Sequence, residues 1–340
     1  MSTHYTPKTA AAVIIANMVG VGVFTSLGFQ LVTVQDGFPI LMLWILGGLA
    51  ALCGAASYSE LGAALPRSGG EYNFLGRIYH PAAGFISGWV SATIGFAAPI
   101  AAIAIAFGAY TTEVIPGDHQ AWIKPLAVAL VLIVTFIHSR NRAQSGQFQL
   151  LFTAIKVVLI LAFCVFALLL VPEPQPVRLL PAAGDIEVMT SSGFAVALIF
   201  VLYSYTGWNA ATYISGELEN PKKHLPLILI LGTGLVIGLY VLLNYVFLRV
   251  APVAAMTEQV EIGYIAASHA FGDTAGRLTG GMLALLLISS VSAMTIAGPR
   301  ALQAIGEDFP ALRLLAKTNK HGVPSAAIYL QSAIAIAFLL

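Results

Sequence analysis

Charge is scarce in this sequence. Of its 340 residues only 9% are Asp, Glu, Lys or Arg, 58% are hydrophobic, and the mean hydropathy is +0.87. Soluble domains carry about 25% charged residues, so a water-soluble fold of this size could not cover its surface. The formal net charge of +1 offers no basis for a polyanionic partner, and nucleic acid is not expected. Cysteine is nearly absent. Cys53 and Cys164 both fall in apolar stretches, which argues against a disulfide framework and against a metal site. The seven histidines (His4, His80, His119, His138, His224, His269, His321) are scattered, mostly at loops or span ends. No span holds paired aspartates, a His-Glu-x-x-His pair or a Ser/His constellation, so a membrane-embedded enzyme is disfavoured and neither cofactor nor metal is expected. No cleavable signal peptide is expected, because the N-terminus is short and polar and the first apolar run has no clear small-residue cleavage site.

What fills the chain instead is a series of apolar runs long enough to cross a bilayer, which takes roughly 17–25 residues each. They fall at 9–34, 39–65, 83–115, 121–138, 148–171, 193–216, 226–250, 278–302 and 323–340. With the N-terminus inside, Lys8, Arg67, Arg77, Arg140, Arg142, Lys222, Lys223, Arg300, Arg313, Lys317 and Lys320 lie on the cytoplasmic side. Lys124, Arg178, Arg249 and Arg277 lie outside, a bias of 11 against 4 with Lys156 left inside a span. That asymmetry predicts a multi-pass protein of the cytoplasmic membrane with a cytoplasmic N-terminus. The ninth run barely reaches across a bilayer and no polar residue follows it, so the chain is expected to be truncated after its ninth span.

Two of the runs are interrupted. In the sixth, Ser204-Tyr205-Thr206-Gly207-Trp208-Asn209 breaks an apolar helix, and in the first Asn17-Met18-Val19-Gly20-Val21-Gly22 does the same. A helix in lipid must satisfy its own backbone, so such a break is costly unless it lines a cavity. Small-x-small spacing at Gly20 and Gly22 is on its own a helix-packing signal. Asn17 one turn earlier and the matching break five spans later raise the functional reading, because that period is the one expected of a five-plus-five inverted repeat. Residues 1–171 would then form the first repeat and 172–340 the second, its tenth span missing.

Unwinding the first span frees backbone N–H groups from about Val21 to Phe24, a partly positive end suited to a carboxylate. Unwinding the sixth frees carbonyls near 202–205, suited to an ammonium. A zwitterionic amino acid could be held there without any buried charged side chain, in keeping with the lack of Asp or Glu near either break in the sequence. Asn17, Gly20, Val21, Gly22, Tyr203, Tyr205, Thr206, Gly207 and Asn209 are the candidate substrate-binding residues, and Tyr203 and Trp208 the candidate gates. Packing or interfacial aromatics are the plainer reading of the latter, and helix–helix glue that of Asn209. Val21, Thr206 and Ser292 are candidates for the side-chain pocket. Lys156, about a third of the way into the fifth span, is the candidate coupling residue. It either snorkels to the interface or donates to carbonyls freed by the first break, where a coupling sodium ion would otherwise sit.

At these residues the sequence resembles the amino acid–polyamine–organocation superfamily, most nearly its L-type exchangers and bacterial permeases. Gly20-Val21-Gly22-Val23-Phe24 is similar to the family's Gly-Ser-Gly-Ile-Phe, with Val21 in place of a small polar residue. Tyr205-Thr206-Gly207-Trp208-Asn209 is similar to Tyr-Gly-Gly-Trp-Asn, and Tyr203 falls where relatives carry a gating phenylalanine. Pro66-Arg67-Ser68-Gly69-Gly70-Glu71-Tyr72, Glu219-Asn220-Pro221-Lys222-Lys223, Gly298-Pro299-Arg300 and Thr153-x-x-Lys156 extend the likeness along the chain. The resemblance implies an all-α integral membrane protein with the leucine-transporter-like inverted-repeat fold and discontinuous first and sixth helices. It also implies alternating-access amino acid transport, independent of sodium, by exchange or by proton symport. An amine or polyamine permease and a non-transporting amino acid sensor are the alternatives. The carrier's partners would be its amino acid, protons in the symport case, and the bilayer; no oligomeric state is specified.

Overall fold

The computed structural model describes residues 4–114 and 119–340, with no side chains described for 273–277. Ile115, the expected end of the third span, and the side chain of Arg277 lie outside the described residues. Among the described residues there is no strand, and the architecture is wholly helical. Among the described residues seven helices are long and apolar enough to cross a membrane: Pro7–Gln30, Gly37–Ala64, Pro81–Glu113, Gln120–Arg140, Arg142–Leu170, Pro221–Val250 and Leu278–Asp308. Two shorter apolar helices, Ser192–Ser204 and Ser325–Leu339, take the places of the sixth and ninth spans. The fold is therefore that of an all-α, multi-pass membrane protein.

The boundaries follow local chemistry. Thr6 caps the first span, its hydroxyl accepting from the Thr9 N–H at 3.2 Å, and Pro7 occupies the first turn where its missing N–H costs nothing. Asn141 caps the fifth span in the same way, which moves its start back to Arg142 from the expected 148. The seventh span starts at Pro221, and Pro226 sits inside it rather than at its head. The eighth helix ends at Ala297, and Pro299, lacking an N–H, opens a separate segment, Pro299–Asp308. The Met294 carbonyl near that junction accepts from Gln331 Nε2 at 3.2 Å. Two short helices, Val253–Met256 and Ile262–Phe271, lie between the seventh and eighth spans.

The third span carries a π-helical turn, Ser91–Ala97, a rare geometry that concentrates at functional places. The first span is the most enclosed of the lipid-length helices but one: it is wrapped by the fifth, seventh and eighth spans. The most extensive helix pair is that of the second and seventh spans. The first interrupted helix thus lies in the core, whereas the sixth-span helix Ser192–Ser204 buries only Phe194, Ala197, Val201 and Ser204.

Candidate functional site

Both breaks form where the sequence places them. The first span splits into Pro7–Met18 and Gly22–Gln30, and the sixth ends at Ser204, runs through turns, and resumes as Ala210–Tyr213. The two breaks touch. A Cβ on Gly207, whose φ is +103°, would lie 3.0 Å from the carbonyl carbon and oxygen of Asn17. Glycine is needed here both for its left-handed conformation and for this close approach.

The first turn of Gly22–Gln30 has N–H groups with no carbonyl behind them to bond. The Phe24 N–H alone reaches back, to the Val21 carbonyl at 2.9 Å. A Cβ on Gly20 would meet nothing within 4 Å, so Gly20 borders open space, whereas one on Gly22 would lie 2.9 Å from Ser204 Oγ. Gly22 is thus a packing contact between the two interrupted helices. Asn17 is 6% exposed, and its Nδ2 has no hydrogen-bond partner among the described residues.

Opposite, the carbonyls expected to be free at 202–205 are partly claimed. Tyr203 accepts from the Thr206 N–H at 3.1 Å and from the Thr206 hydroxyl at 2.7 Å. The Thr206 N–H thereby bypasses Leu202, whose carbonyl loses its usual helical partner. The Ser204 carbonyl accepts from the Tyr240 hydroxyl at 3.0 Å, and the same hydroxyl lies 2.6 Å from the Met18 carbonyl. Tyr240, from the seventh span and 1% exposed, bridges the ends of the two broken helices. Nothing in the sequence singles it out, since it is one of two tyrosines on a span that also carries Thr233 and Asn244.

Lys156 is fully buried, with its Nζ donating to the Ala16 carbonyl at 3.3 Å, to the Val19 carbonyl, and to Ser290 Oγ at 2.7 Å. It does not snorkel. Its ammonium satisfies carbonyls that the first break has released.

Several expectations need correction. Tyr205 does not face the gap: it is 1% exposed, its hydroxyl donates to the Trp44 carbonyl at 2.9 Å, and its ring packs on Trp44 and Tyr240. Burial among aromatics holds it away from any ligand between the breaks. Ser292 is also no pocket residue, because it is fully buried between His138 and Gln149. Nor is the sixth-span break free of carboxylates. The fold brings Glu71, distant in sequence, to accept from Asn209 Nδ2 at 2.5 Å and from the Tyr213 hydroxyl. The Tyr213 hydroxyl, its hydrogen given to Glu71, lies 2.9 Å from Ser91 Oγ of the π-helical turn and accepts from it, and Tyr58 faces the same carboxylate. Glu217, at the N-terminal end of the bundle, pairs with Arg300 at 3.0 Å and Arg142 at 2.9 Å.

Of the gate candidates, Tyr203 is 68% exposed, and Trp208 is half-buried, edge-on to Tyr58 at 4.9 Å and against Gly54. The end of the bundle that carries the N-terminus is sealed. Tyr5 exchanges backbone hydrogen bonds with Glu217 and Glu219, Ser215 Oγ donates to the Arg67 carbonyl at 3.0 Å, and Arg67 pairs with Glu307 and Asp308 at 2.9 and 2.8 Å. At the opposite end Ser192–Ser204 packs mainly on the first and second spans, with Leu202 and Tyr203 exposed.

Residues 5–340 match the amino acid permease family. The serine/threonine exchanger SteT of Bacillus subtilis is 27% identical over 97% of this chain and 75% of its own length. The human b(0,+)-type amino acid transporter 1 is 30% identical over 77% of this chain and 53% of its own. The human large neutral amino acids transporter small subunit 2 is 28% identical over 85% and 54%. The chain thus spans about half the length of these human relatives. It belongs to the amino acid permease family, within the amino acid–polyamine–organocation superfamily.

Proposed function

We propose that this chain forms the substrate-translocating part of a secondary amino acid transporter, working by alternating access between two inverted repeats, residues 1–171 and 172–340. Its substrate is a zwitterionic amino acid lying between the two breaks. The carboxylate meets the N–H end at Val21, Gly22 and Val23, and the ammonium meets the Leu202 carbonyl. Asn17, with an unpartnered amide against Gly207, and Gly20, bordering open space, complete the cradle; Thr206, Gly207 and Asn209 shape its other side. Tyr203 and Trp208 act as gates, the exposed Tyr203 ring closing over the substrate. We read this form as closed at the N-terminal end, from the ties among Tyr5, Ser215, Arg67, Glu307 and Asp308. We place the N-terminus in the cytoplasm and the protein in the cytoplasmic membrane, from the distribution of Lys and Arg.

The observation that carries this reading is the direct contact of two broken helices, with a donor end on one side and an unclaimed carbonyl on the other. Lys156 supports sodium independence, because its ammonium already occupies the carbonyls of Ala16 and Val19 that a cation would need. Exchange is favoured over proton symport by the serine/threonine exchanger among the relatives. An amine carrier would want a free carboxylate for a second positive charge, and Glu71 is engaged by Asn209 and Tyr213. The protein is a carrier, not an enzyme.

Proteoliposomes test this with labelled L-serine, L-threonine and L-leucine, with and without the same amino acids preloaded. Saturable uptake stimulated by preloading is expected. Uptake driven only by an imposed proton gradient would replace exchange with symport, and saturable binding with no uptake would make the protein a sensor.

A further inference from the structure

A file of buried polar side chains runs between the first, fourth, fifth and eighth spans and is used by neither break. It begins at Arg300, whose guanidinium is held by Glu217 at 3.0 and 3.1 Å and lies 3.3 Å from the Tyr5 hydroxyl. Tyr5 Oη is 3.5 Å from Ser145 Oγ, the longest link, and Ser145 Oγ is 2.5 Å from His138 Nδ1. The other ring nitrogen, Nε2, is 2.8 Å from Ser292 Oγ, which is 2.5 Å from Gln149 Oε1. Gln149 Nε2 donates to Thr153 Oγ1 at 2.9 Å and to the Ala12 and Ser289 carbonyls at 3.4 Å. Thr153 also donates to the Ala12 carbonyl, at 3.2 Å. Arg300, His138, Ser145, Ser292 and Gln149 are each at most 1% exposed.

The chemistry of the two ends fixes the direction of every bond between them. A guanidinium only donates and a backbone carbonyl only accepts. The Gln149 amide nitrogen faces carbonyls, so its oxygen faces Ser292 and accepts. Ser292 spends its one hydrogen there and must accept from His138, so Nε2 carries the ring hydrogen. Nδ1 then accepts from Ser145, and Ser145 from Tyr5. Each link points from the ion cluster toward the first span. A doubly protonated ring would turn Ser145 round, leave the Tyr5 hydrogen with no acceptor in the file, and set a second cation beside Arg300.

We propose that His138 is a positioning residue of the transport cycle. As the Nε2–H tautomer it ties the Arg300–Glu217 cluster, which seals the N-terminal face, to the donors that hold the Ala12 carbonyl. The seal and the seat of the first span's inner half then make and break together. Hydrogen bonds aligned in one direction polarise one another, so losing Tyr5 at one end weakens the grip on Ala12 at the other. The inference rests on the alternating-access reading above.

Hydrogen–deuterium exchange in lipid nanodiscs tests it on the wild type, His138→Ala and His138→Gln. A glutamine amide offers one acceptor and one donor, spaced much as the ring nitrogens are, and cannot titrate. His138→Ala is expected to speed exchange across residues 5–18 by about fivefold while the seventh span stays unchanged. His138→Gln is expected to remain within about twofold of the wild type. In proteoliposomes the alanine variant alone shifts the ratio of half-saturation concentrations measured from the two faces. Unchanged exchange over 5–18 in His138→Ala overturns the proposal, as does acceleration spread evenly over all spans. Equal behaviour of the two variants overturns the donor–acceptor polarity on which it depends. The expected exchange pattern in a wild type that moves no amino acid would sink the transport reading and leave the tie to the first span standing.

Discussion

Gly207 lies directly against the backbone of Asn17, close enough that an added Cβ would stand 3.0 Å from the Asn17 carbonyl carbon and oxygen. The two interrupted helices therefore meet backbone to backbone at the level where both are unwound. Gly207→Ala must push them apart and also hold alanine at a φ of +103°. Strain of this kind costs about 1–3 kcal/mol. The expected result is a lower unfolding temperature in detergent together with weakened amino acid binding, read by thermal shift and equilibrium binding.

Tyr240 joins the same two breaks through its hydroxyl. Tyr240→Phe keeps the ring packed on Trp44 and Tyr205 but strips the Met18 and Ser204 carbonyls of their donor. An unsatisfied buried acceptor costs about 1–3 kcal/mol. Lower thermal stability and slower exchange are expected, measured on one preparation by thermal shift and counterflow. Stability and exchange both equal to wild type would show that the hydroxyl does nothing at the breaks.

Lys156→Met keeps the length of the side chain and removes the ammonium. The Ala16 carbonyl then faces a dry interior without its donor, and the Val19 carbonyl keeps only Ser290 Oγ at 3.0 Å. Counterflow is expected to fall by at least about tenfold, the equivalent of roughly 1.4 kcal/mol. Sodium added at rising concentration checks the site: restored counterflow means that a cation can replace the ammonium.

A salt bridge outside the spans gives the pH prediction. Asp185 accepts from both Nη atoms of Arg178 at 2.6 Å and from the Ala182 N–H. Those bonds, the arginine first, lower its carboxyl from 3.8 to about 2. A depressed carboxyl stabilises the fold above its unfolded value and loses that contribution as pH falls through the folded one. Protection of 178–185 in hydrogen exchange, corrected for intrinsic rates, should hold at pH 4 and decline toward pH 2. Asp185→Asn should remove the dependence.

The spans and both breaks were legible because hydropathy, glycine and clustered polar residues are local signals. Asn17, Gly20 and Lys156 could be singled out because a polar or missing side chain in an apolar run is conspicuous on its own. Glu71, Tyr240 and His138 could not. Each gains its meaning from a partner far along the chain, as when Glu71 meets Asn209 and Tyr213 across the fold. Tyr205 misled for the opposite reason: its neighbours in sequence border the gap, while its own ring turns into the core. The seventh span was placed from 226 because the preceding Lys222-Lys223-His224 is polar and ends the apolar run. Here the helix had begun at Pro221.

The account rests on an amino acid seated between the two breaks, and Gly20 gives the sharpest access to that claim. A Cβ there meets nothing within 4 Å, so a side chain at this position starts into open space. The decisive measurement is equilibrium binding of labelled L-serine, L-threonine and L-leucine to the wild type and Gly20→Leu, with thermal shift on the same samples. Saturable binding to the wild type, lost in Gly20→Leu at a nearly unchanged unfolding temperature, is the predicted result. Undiminished binding to Gly20→Leu would place the substrate elsewhere and contradict the account.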